Sequence, residues 1–491
     1  MILRDRTAIR RTELSRPVRS AVKDGIVSNG TAVLDYGCGL GDDVRRLQGQ
    51  GITAFGWDPA HHPGGEKRFA DVVNLGYVVN VVERPDERAA SLQDAWGYAR
   101  SVLIVAARLK EEYDARFSTY EDGCVTRLQT FQKFYEQQEL RDWITATLGE
   151  VPVAAAPGVF YVFRDAAARE SFIASRYHRR VAAPRVRLSD QLFEEHQGIL
   201  QDLMVFVTER GRLPEQDEFP VGADLVGVFG SVKRAFQVVR RVTGPEHWES
   251  ITTERRNDLL VYLALGRFPR RPKLSSIPTV LQRDIKALFS TYKNACTEGD
   301  ALLFAAGDMT KVDDACKDAP FGKLMPTTLY VHAESLNRLP GLLRVYEGCA
   351  RVLSGTIEGT TIIKLRRHEP KISYLSYPAF DDDPHPSLSS SVRVDLRSFH
   401  LKYREYASSD DPPVLHRKEA FIPSDAPLRA VFATLTHEEE AWGLLDDPSV
   451  IGTKKAWEER LARKGARLVG HHVVAREPSG PLPWNRPQEH P

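Results

Sequence analysis

At a typical domain size of about 150 residues, the 491 residues of this chain suggest two or three domains. With 42% hydrophobic and 27% charged residues the chain is ordinary globular material, neither disordered nor fibrous. Sixty-seven Lys and Arg against 66 Asp and Glu leave a formal charge of +1, which excludes a histone-like or acidic-tail protein: a polyanion must be met by local patches.

The first third alternates strand and helix, the pattern of a parallel sheet covered on both faces. Residues 16–28 predict an opening helix, 31–36 a short apolar strand and 37–41 the loop after it. The next helix, 42–50, carries Asp42 and Asp43 in its first turn, as the helix dipole prefers. A second strand over 52–57 ends at Asp58-Pro59. Residues 70–82 hold a third strand and its loop, 86–100 a helix, 102–107 a buried strand, and 131–148 an amphipathic helix. Pro157-Gly158 splits 151–156 and 159–163 into a closing hairpin. Further on, 231–242, 255–265 and 336–354 read as helices, 360–365 and 372–377 as strands. The expected layout is an α/β, Rossmann-like domain over 1–166 and a basic linker over 167–188. A larger, mostly helical α+β domain follows over 189–480, and a frayed, Pro-rich tail over 481–491.

Five sparse cysteines without a CxxC pair fit reduced thiols in a cytoplasm. No apolar run approaches the roughly 18 residues of a membrane span, since the longest candidate is interrupted by Asn74 and Asn80. The opening residues are charged and carry no leader-like apolar stretch. A soluble, cytoplasmic protein with no membrane partner is expected.

The stretch Val33-Leu34-Asp35-Tyr36-Gly37-Cys38-Gly39-Leu40-Gly41 is the most informative. A strand ends in an acid, and three glycines at alternate positions open the next helix. Glycines there let backbone approach a ligand and tolerate positive φ. A dinucleotide fingerprint runs GxGxxG, whereas the spacing here is GxGxG, and Asp42-Asp43 at the helix start would repel a pyrophosphate. The stretch resembles motif I of the class I S-adenosylmethionine-dependent methyltransferases. That resemblance implies S-adenosyl-L-methionine as cofactor, its amino-acid part on Asp35, Gly37, Cys38, Gly39 and Gly41. It also implies that Asp58, which stands where the family has an acid ending the second strand, holds the ribose hydroxyls. Only eleven residues separate Asp58 from Ala70, too few for a helix plus strand. The strand flanking the second one is therefore expected to be missing or reduced, with a rather open cofactor site.

In that family the segment after the fourth strand positions the methyl acceptor. Here Asn74-Leu75-Gly76-Tyr77 half matches the (Asp/Asn/Ser)-Pro-Pro-(Tyr/Phe) of amino-group DNA methyltransferases. There the polar side chain accepts from the target amine and the aromatic ring stacks on a flipped base. Asn74 and Tyr77 are thus the candidate catalytic pair, against the plainer reading that Asn74 caps a turn. Carbon methylation would need a thiolate, and neither Cys38 in the glycine loop nor Cys124 in a polar loop is placed for it. Asp411-Pro412-Pro413-Val414 mimics the tetrapeptide but lacks its aromatic, and reads as a turn.

Four basic clusters, 176–187, 267–273, 364–371 and 416–418, suit phosphate contacts or pairing with the equally numerous acids. Residues 211–239 read as a small helical DNA-reading module with Phe229-Gly230-Ser231 as its turn. The histidines lack metal-ligand spacing, and no metal is expected.

Over nearly its full length the chain resembles the methyltransferase family associated with bacterial DNA phosphorothioation. The resemblance rests on Ile9-Arg10-Arg11-Thr12, the glycine loop through Asp43, residues 73–80, and Thr130-Phe131-Gln132-Lys133. It continues at 258–264, 345–351, 373–378 and 415–419. It implies DNA, phosphorothioated or not, as substrate, and other proteins of a DNA-modification and defence system as partners. The expected activity is methylation of an exocyclic amine of a DNA base, adenine's first. The rivals are an inactive cofactor-binding scaffold of the same system, or methyl transfer to RNA or protein.

Overall fold

The computed structural model describes residues 2–113, 117–178, 191–268 and 270–476. The expected tail and the second half of the expected linker lie outside the described residues.

The first 175 residues build one sheet with helices on both faces. Its elements are α1 (Arg16–Lys23), β1 (Ala32–Tyr36), α2 (Asp42–Gly49), β2 (Thr53–Trp57), β3 (Ala70–Gly76), α3 (Pro85–Tyr98) and β4 (Ala99–Ala106). A small three-stranded sheet, β5 (Ser118–Tyr120), β6 (Gly123–Val125) and β7 (Phe131–Gln132), interrupts them. Then come α4 (Gln137–Leu148), β8 (Val153–Ala156), β9 (Val159–Phe163) and α5 (Ala166–Ser175). The strand order is β2-β1-β3-β4-β9-β8. The first four are parallel, and β9 runs antiparallel to both β4 and β8. One face buries Leu34, Val73 and Leu103 against α3 and α4; the other buries Val33, Val72 and Ile104 against α1 and α2. Burial on both faces is why β4 and β9 are continuous apolar runs without alternation.

The expected gap is real: β2 is an edge strand, and no strand lies between it and β3. Several boundaries differ from expectation: α1 stops at Lys23 instead of 28, and two further shifts have a clear cause. The helix expected from 131 starts at Gln137, where Glu136 and Glu139 form a capping box, while Phe131–Gln132 pairs with β6 instead. The start of the expected linker is α5, capped by the Asp165 carboxylate at 2.7 Å from the Ala168 amide, with Phe172 packed on Tyr161 and Phe163. Aromatic burial thus extends the first unit to Ser175, where the arginine-rich stretch begins.

Helices follow: α6 (Gln191–Glu195), α7 (Gln197–Arg210), α8 (Gly222–Phe229), α9 (Val232–Thr243), α10 (Pro245–Leu265), α11 (Thr279–Phe289), α12 (Tyr292–Ala306) and α13 (Met309–Lys317). Gly230, at φ 76°, makes the expected elbow between α8 and α9, and the Ser231 hydroxyl caps α9. The chain then forms β10 (Lys323–Met325), β11 (Thr328–His332), α14 (Gly341–Ser354), β12 (Ile362–Arg366), β13 (Lys371–Ser376), β14 (Ser390–Asp395) and β15 (His400–Glu405). Those six strands make an antiparallel meander in sequence order, where the sequence had suggested only two. Its inner face, with Val331, Ile363, Ile372 and Val394, packs on Leu343, Tyr346 and Ala350 of α14. Last come α15 (Arg429–Ala441), α16 (Lys454–Arg463) and the hairpin β16 (Ala466–Val469) and β17 (His472–Ala475).

The two sheets are joined at the end of α14. The Thr356 amide donates to the Ala155 carbonyl at 2.8 Å. Gln137 spans the junction, donating to the Leu353 carbonyl and accepting from the Gly158 amide. Gly355, at φ 70°, passes so close to β8 that a Cβ there would lie 2.5 Å from the Ala155 carbonyl carbon. Among the described residues, no helix is long and apolar enough to cross a membrane, and no cluster of side chains could hold a metal ion.

Candidate functional site

A cavity of about 380 Å³ opens at the carboxyl ends of β1, β2 and β3. In open parallel sheets this is where ligands bind. Asp35, Gly37, Cys38, Gly39, Asp58, Asn74 and Tyr77 all line it. Gly41 does not: it stands at the start of α2, at φ 73°, with its amide on the Cys38 carbonyl.

The loop after β1 leaves no room for side chains. At Gly37, φ is 84° and a Cβ would overlap the Val78 side chain, so the backbone itself forms the cavity wall. Asp58 closes the loop from the other side. Its carboxylate accepts from the Gly39 amide at 3.0 Å, the Ala60 amide at 2.9 Å and the His61 amide at 2.8 Å. A carboxylate offers about four lone-pair sites, so Asp58 retains capacity for about one further donor, rather than for both hydroxyls of a ribose.

Register across the sheet sets Asp35 beside Asn74. The Asn74 Nδ2 donates to Asp35 Oδ1 at 2.8 Å, and that bond orients the amide. Its other end, Oδ1, is buried and has no hydrogen-bond partner. An unmet buried acceptor costs about 1–3 kcal/mol and marks a place that a donor should fill. Asp35 is itself strained electrostatically: burial, and then the charge of Asp43, push its carboxyl up to about 7. Tyr77 sits in left-handed backbone at φ 62°, which is uncommon for an aromatic residue, with the Arg11 guanidinium 5.6 Å above its ring. Arg11 thus occupies the ring face that a stacked base would take. Burial, then Asp35 and Asp58, push the Cys38 thiol up to about 12, so it is no thiolate at neutral pH.

The unexpected part is a strap made of residues 3–11. The Leu3 amide donates to the Gln129 carbonyl and Arg4 pairs with Glu83 and Glu87. At the other end, the Arg11 and Ser15 amides donate to the carboxylates of Asp42 and Asp43 at 2.8 and 2.7 Å. Between these anchors Thr7, Ala8 and Ile9 face the cavity, which is therefore less open than the missing strand suggested. Asp42 and Asp43 act here as anchors for the strap as well as favourable charges at a helix N-terminus. No apolar periodicity marks residues 3–11, so sequence patterning gave no sign of the strap. On the far side the segment after β2 folds back, with Lys67 on Asp94 at 2.6 Å and 4.0 Å from the Trp57 ring.

The other motifs are structural. Cys124 is buried, with its thiol on the Gln132 carbonyl, and lies outside the cavity. Asp411 accepts from the Lys455 amide at the start of α16, and the expected turn is instead a bend at Asp411 followed by bridges of Pro413 to Thr453 and Val414 to Ser387. Of the sequence clusters, Arg271 pairs with Asp300, Arg367 with Asp313 and Lys371 with Glu369, and Lys418 is buried.

No family model matches this chain, and no curated protein matches it. Among solved structures it is similar to the Burkholderia thailandensis 1,6-didemethyltoxoflavin-N1-methyltransferase with bound 1,6-didemethyltoxoflavin and S-adenosylhomocysteine. Identity there is 16%, over 30% of this chain and 76% of that one, with a TM-score of 0.23. It is also similar to magnesium protoporphyrin IX methyltransferase from Synechocystis PCC 6803 with bound S-adenosylhomocysteine. Identity is again 16%, over 30% of this chain and 80% of that one, with a TM-score of 0.21. Function is accordingly read from the site's own residues.

Proposed function

We propose that the chain is an S-adenosyl-L-methionine-dependent methyltransferase acting on an exocyclic amine of a DNA base, adenine's first. One observation carries this reading: Asn74, which lines a glycine-walled cavity at the end of a parallel strand, has a buried Oδ1 without a hydrogen-bond partner. The residues fit the cofactor. Gly37 and Gly39 supply bare backbone, and Asp58 keeps capacity for one sugar hydroxyl. The cofactor, when bound, supplies an electrophilic methyl group on a sulfonium.

The chain's own task is to orient the acceptor. Asn74 Oδ1 accepts an N–H of the target amine and so aims the nitrogen lone pair. Asp35 is a positioning residue that holds the Asn74 amide in that sense. Tyr77 offers a ring face once Arg11 withdraws. The link to DNA phosphorothioation rests on the sequence resemblance described above, and it makes phosphorothioated DNA and other proteins of that system the first partners to test.

A second reading, a cofactor-binding scaffold without transfer, is favoured by Arg11 lying over Tyr77. Purified protein given methyl-labelled cofactor and DNA, with and without phosphorothioates, separates the two. Transfer to DNA, reduced by about 10²-fold or more in Asn74→Ala, supports the enzyme. Cofactor binding with no label in DNA supports the scaffold, and label appearing only in RNA or protein contradicts DNA as substrate.

A further inference from the structure

The outer face of the six-stranded sheet carries a second cavity, of about 640 Å³, beneath the segment 413–421. Strand register gathers its cations. Lys323 on β10 pairs with Tyr330 on β11, Tyr330 with Lys364 on β12, and Lys364 with Ser373 on β13. Ser373 pairs in turn with Arg393 on β14, and Arg393 with Lys402 on β15. One row thus crosses all six strands, and at about 4.8 Å per strand it is about 24 Å long. Arg404 extends it along β15 on the same face.

The lining contains no Asp or Glu. Lys323, Lys364, Arg393, Lys402 and Arg404 make no ion pair among the described residues, and Arg393, Lys402 and Arg404 are exposed. This clustering of unpaired cations contrasts with the chain's near-neutral total. Aromatic rings sit among the charges: Tyr330, edge-on to Phe421, and Tyr406. A row about 24 Å long exceeds any free nucleotide but suits several linked phosphates, and the rings offer stacking surfaces for unpaired bases. The row ends on the edge strand β15.

We propose that this face binds single-stranded DNA, phosphates along Lys364, Arg393, Lys402 and Arg404, and a base against Tyr406, since Lys364 and Phe421 already pack on the Tyr330 ring. The inference deepens the reading of DNA as substrate, yet its test is independent of methyl transfer because binding is measured without cofactor. The full chain is titrated against a fluorescently labelled single-stranded DNA of roughly 20 nucleotides, longer than one such site covers. Arg393→Glu with Lys402→Glu should weaken binding about tenfold or more and flatten the salt dependence by about 1.4 in log–log slope, about 0.7 for each lost phosphate contact. Unchanged affinity overturns the proposal. So does a loss confined to Lys233→Glu with Arg234→Glu on α9, or tighter binding of RNA of the same sequence. If charge reversal unfolds the edge strand, photo-crosslinking of the unaltered protein decides: crosslinks must fall on 323–330 or 391–406, and crosslinks only elsewhere contradict it.

Discussion

The two large sheets place chemistry by opposite means. In the parallel sheet both faces are buried, so side chains that reach a ligand come from strand ends and loops: Asp35, Asn74 and Asp58 each stand at or just past the carboxyl end of a strand. In the antiparallel sheet one face packs on α14, and the other is covered at Ile362 and Leu375 by Leu415 and Phe421 but left open at Arg393, Lys402 and Arg404. Alternation sends every second residue to that face, as Lys402 and Arg404 flank Tyr403. Loop residues make a precise, enclosed pocket; alternating strand residues make an extended charged surface.

The sharpest way to break that contrast is to truncate one residue on each face of the antiparallel sheet. Ile372→Ala, on the buried face of β13, should cost about 2–5 kcal/mol of stability. Lys402→Ala, on the open face of β15, should stay within about 0.5 kcal/mol. Similar losses in chemical denaturation would show that the outer face is also packed. In the parallel sheet the corresponding test is Gly37→Ala, which places a methyl group into Val78 at positive φ. It should weaken S-adenosylhomocysteine binding about 100-fold, about 2.7 kcal/mol, with far-UV dichroism unchanged; unaltered affinity would remove the loop from the site.

A further test is electrostatic. Folded Asp35 holds its proton to about pH 7, whereas the unfolded chain loses it near 3.8. The folded state therefore binds more protons between those values, and stability falls as pH rises through that window. Asp35→Asn removes this slope, so its gain in melting temperature over the unaltered chain should be larger near pH 8 than near pH 4. A gain independent of pH would show that Asp35 is not the buried acid described.

How much was legible in the sequence follows the same division. The first sheet was readable because burial on both faces writes continuous apolar runs, and because GxGxG after Asp35 has few other uses. The missing strand was readable from the eleven residues after Asp58. The strap was not, because residues 3–11 are held by backbone hydrogen bonds and salt bridges that leave no periodicity. The basic face was not readable either. Lys364, Arg393 and Lys402 stand many residues apart and converge only through strand register, while within the contiguous cluster 364–371 Arg367 and Lys371 pair with acids. Linear charge density is a poor guide when alternation places neighbours on opposite faces.

Calorimetric titration of the full chain with S-adenosyl-L-methionine and with S-adenosylhomocysteine tests the central claim most directly. Saturable heat at one site per chain, lost in Gly37→Ala, is the predicted result. No heat from either compound, with no shift in melting temperature at saturating concentration, would contradict the assignment of the glycine-lined cavity.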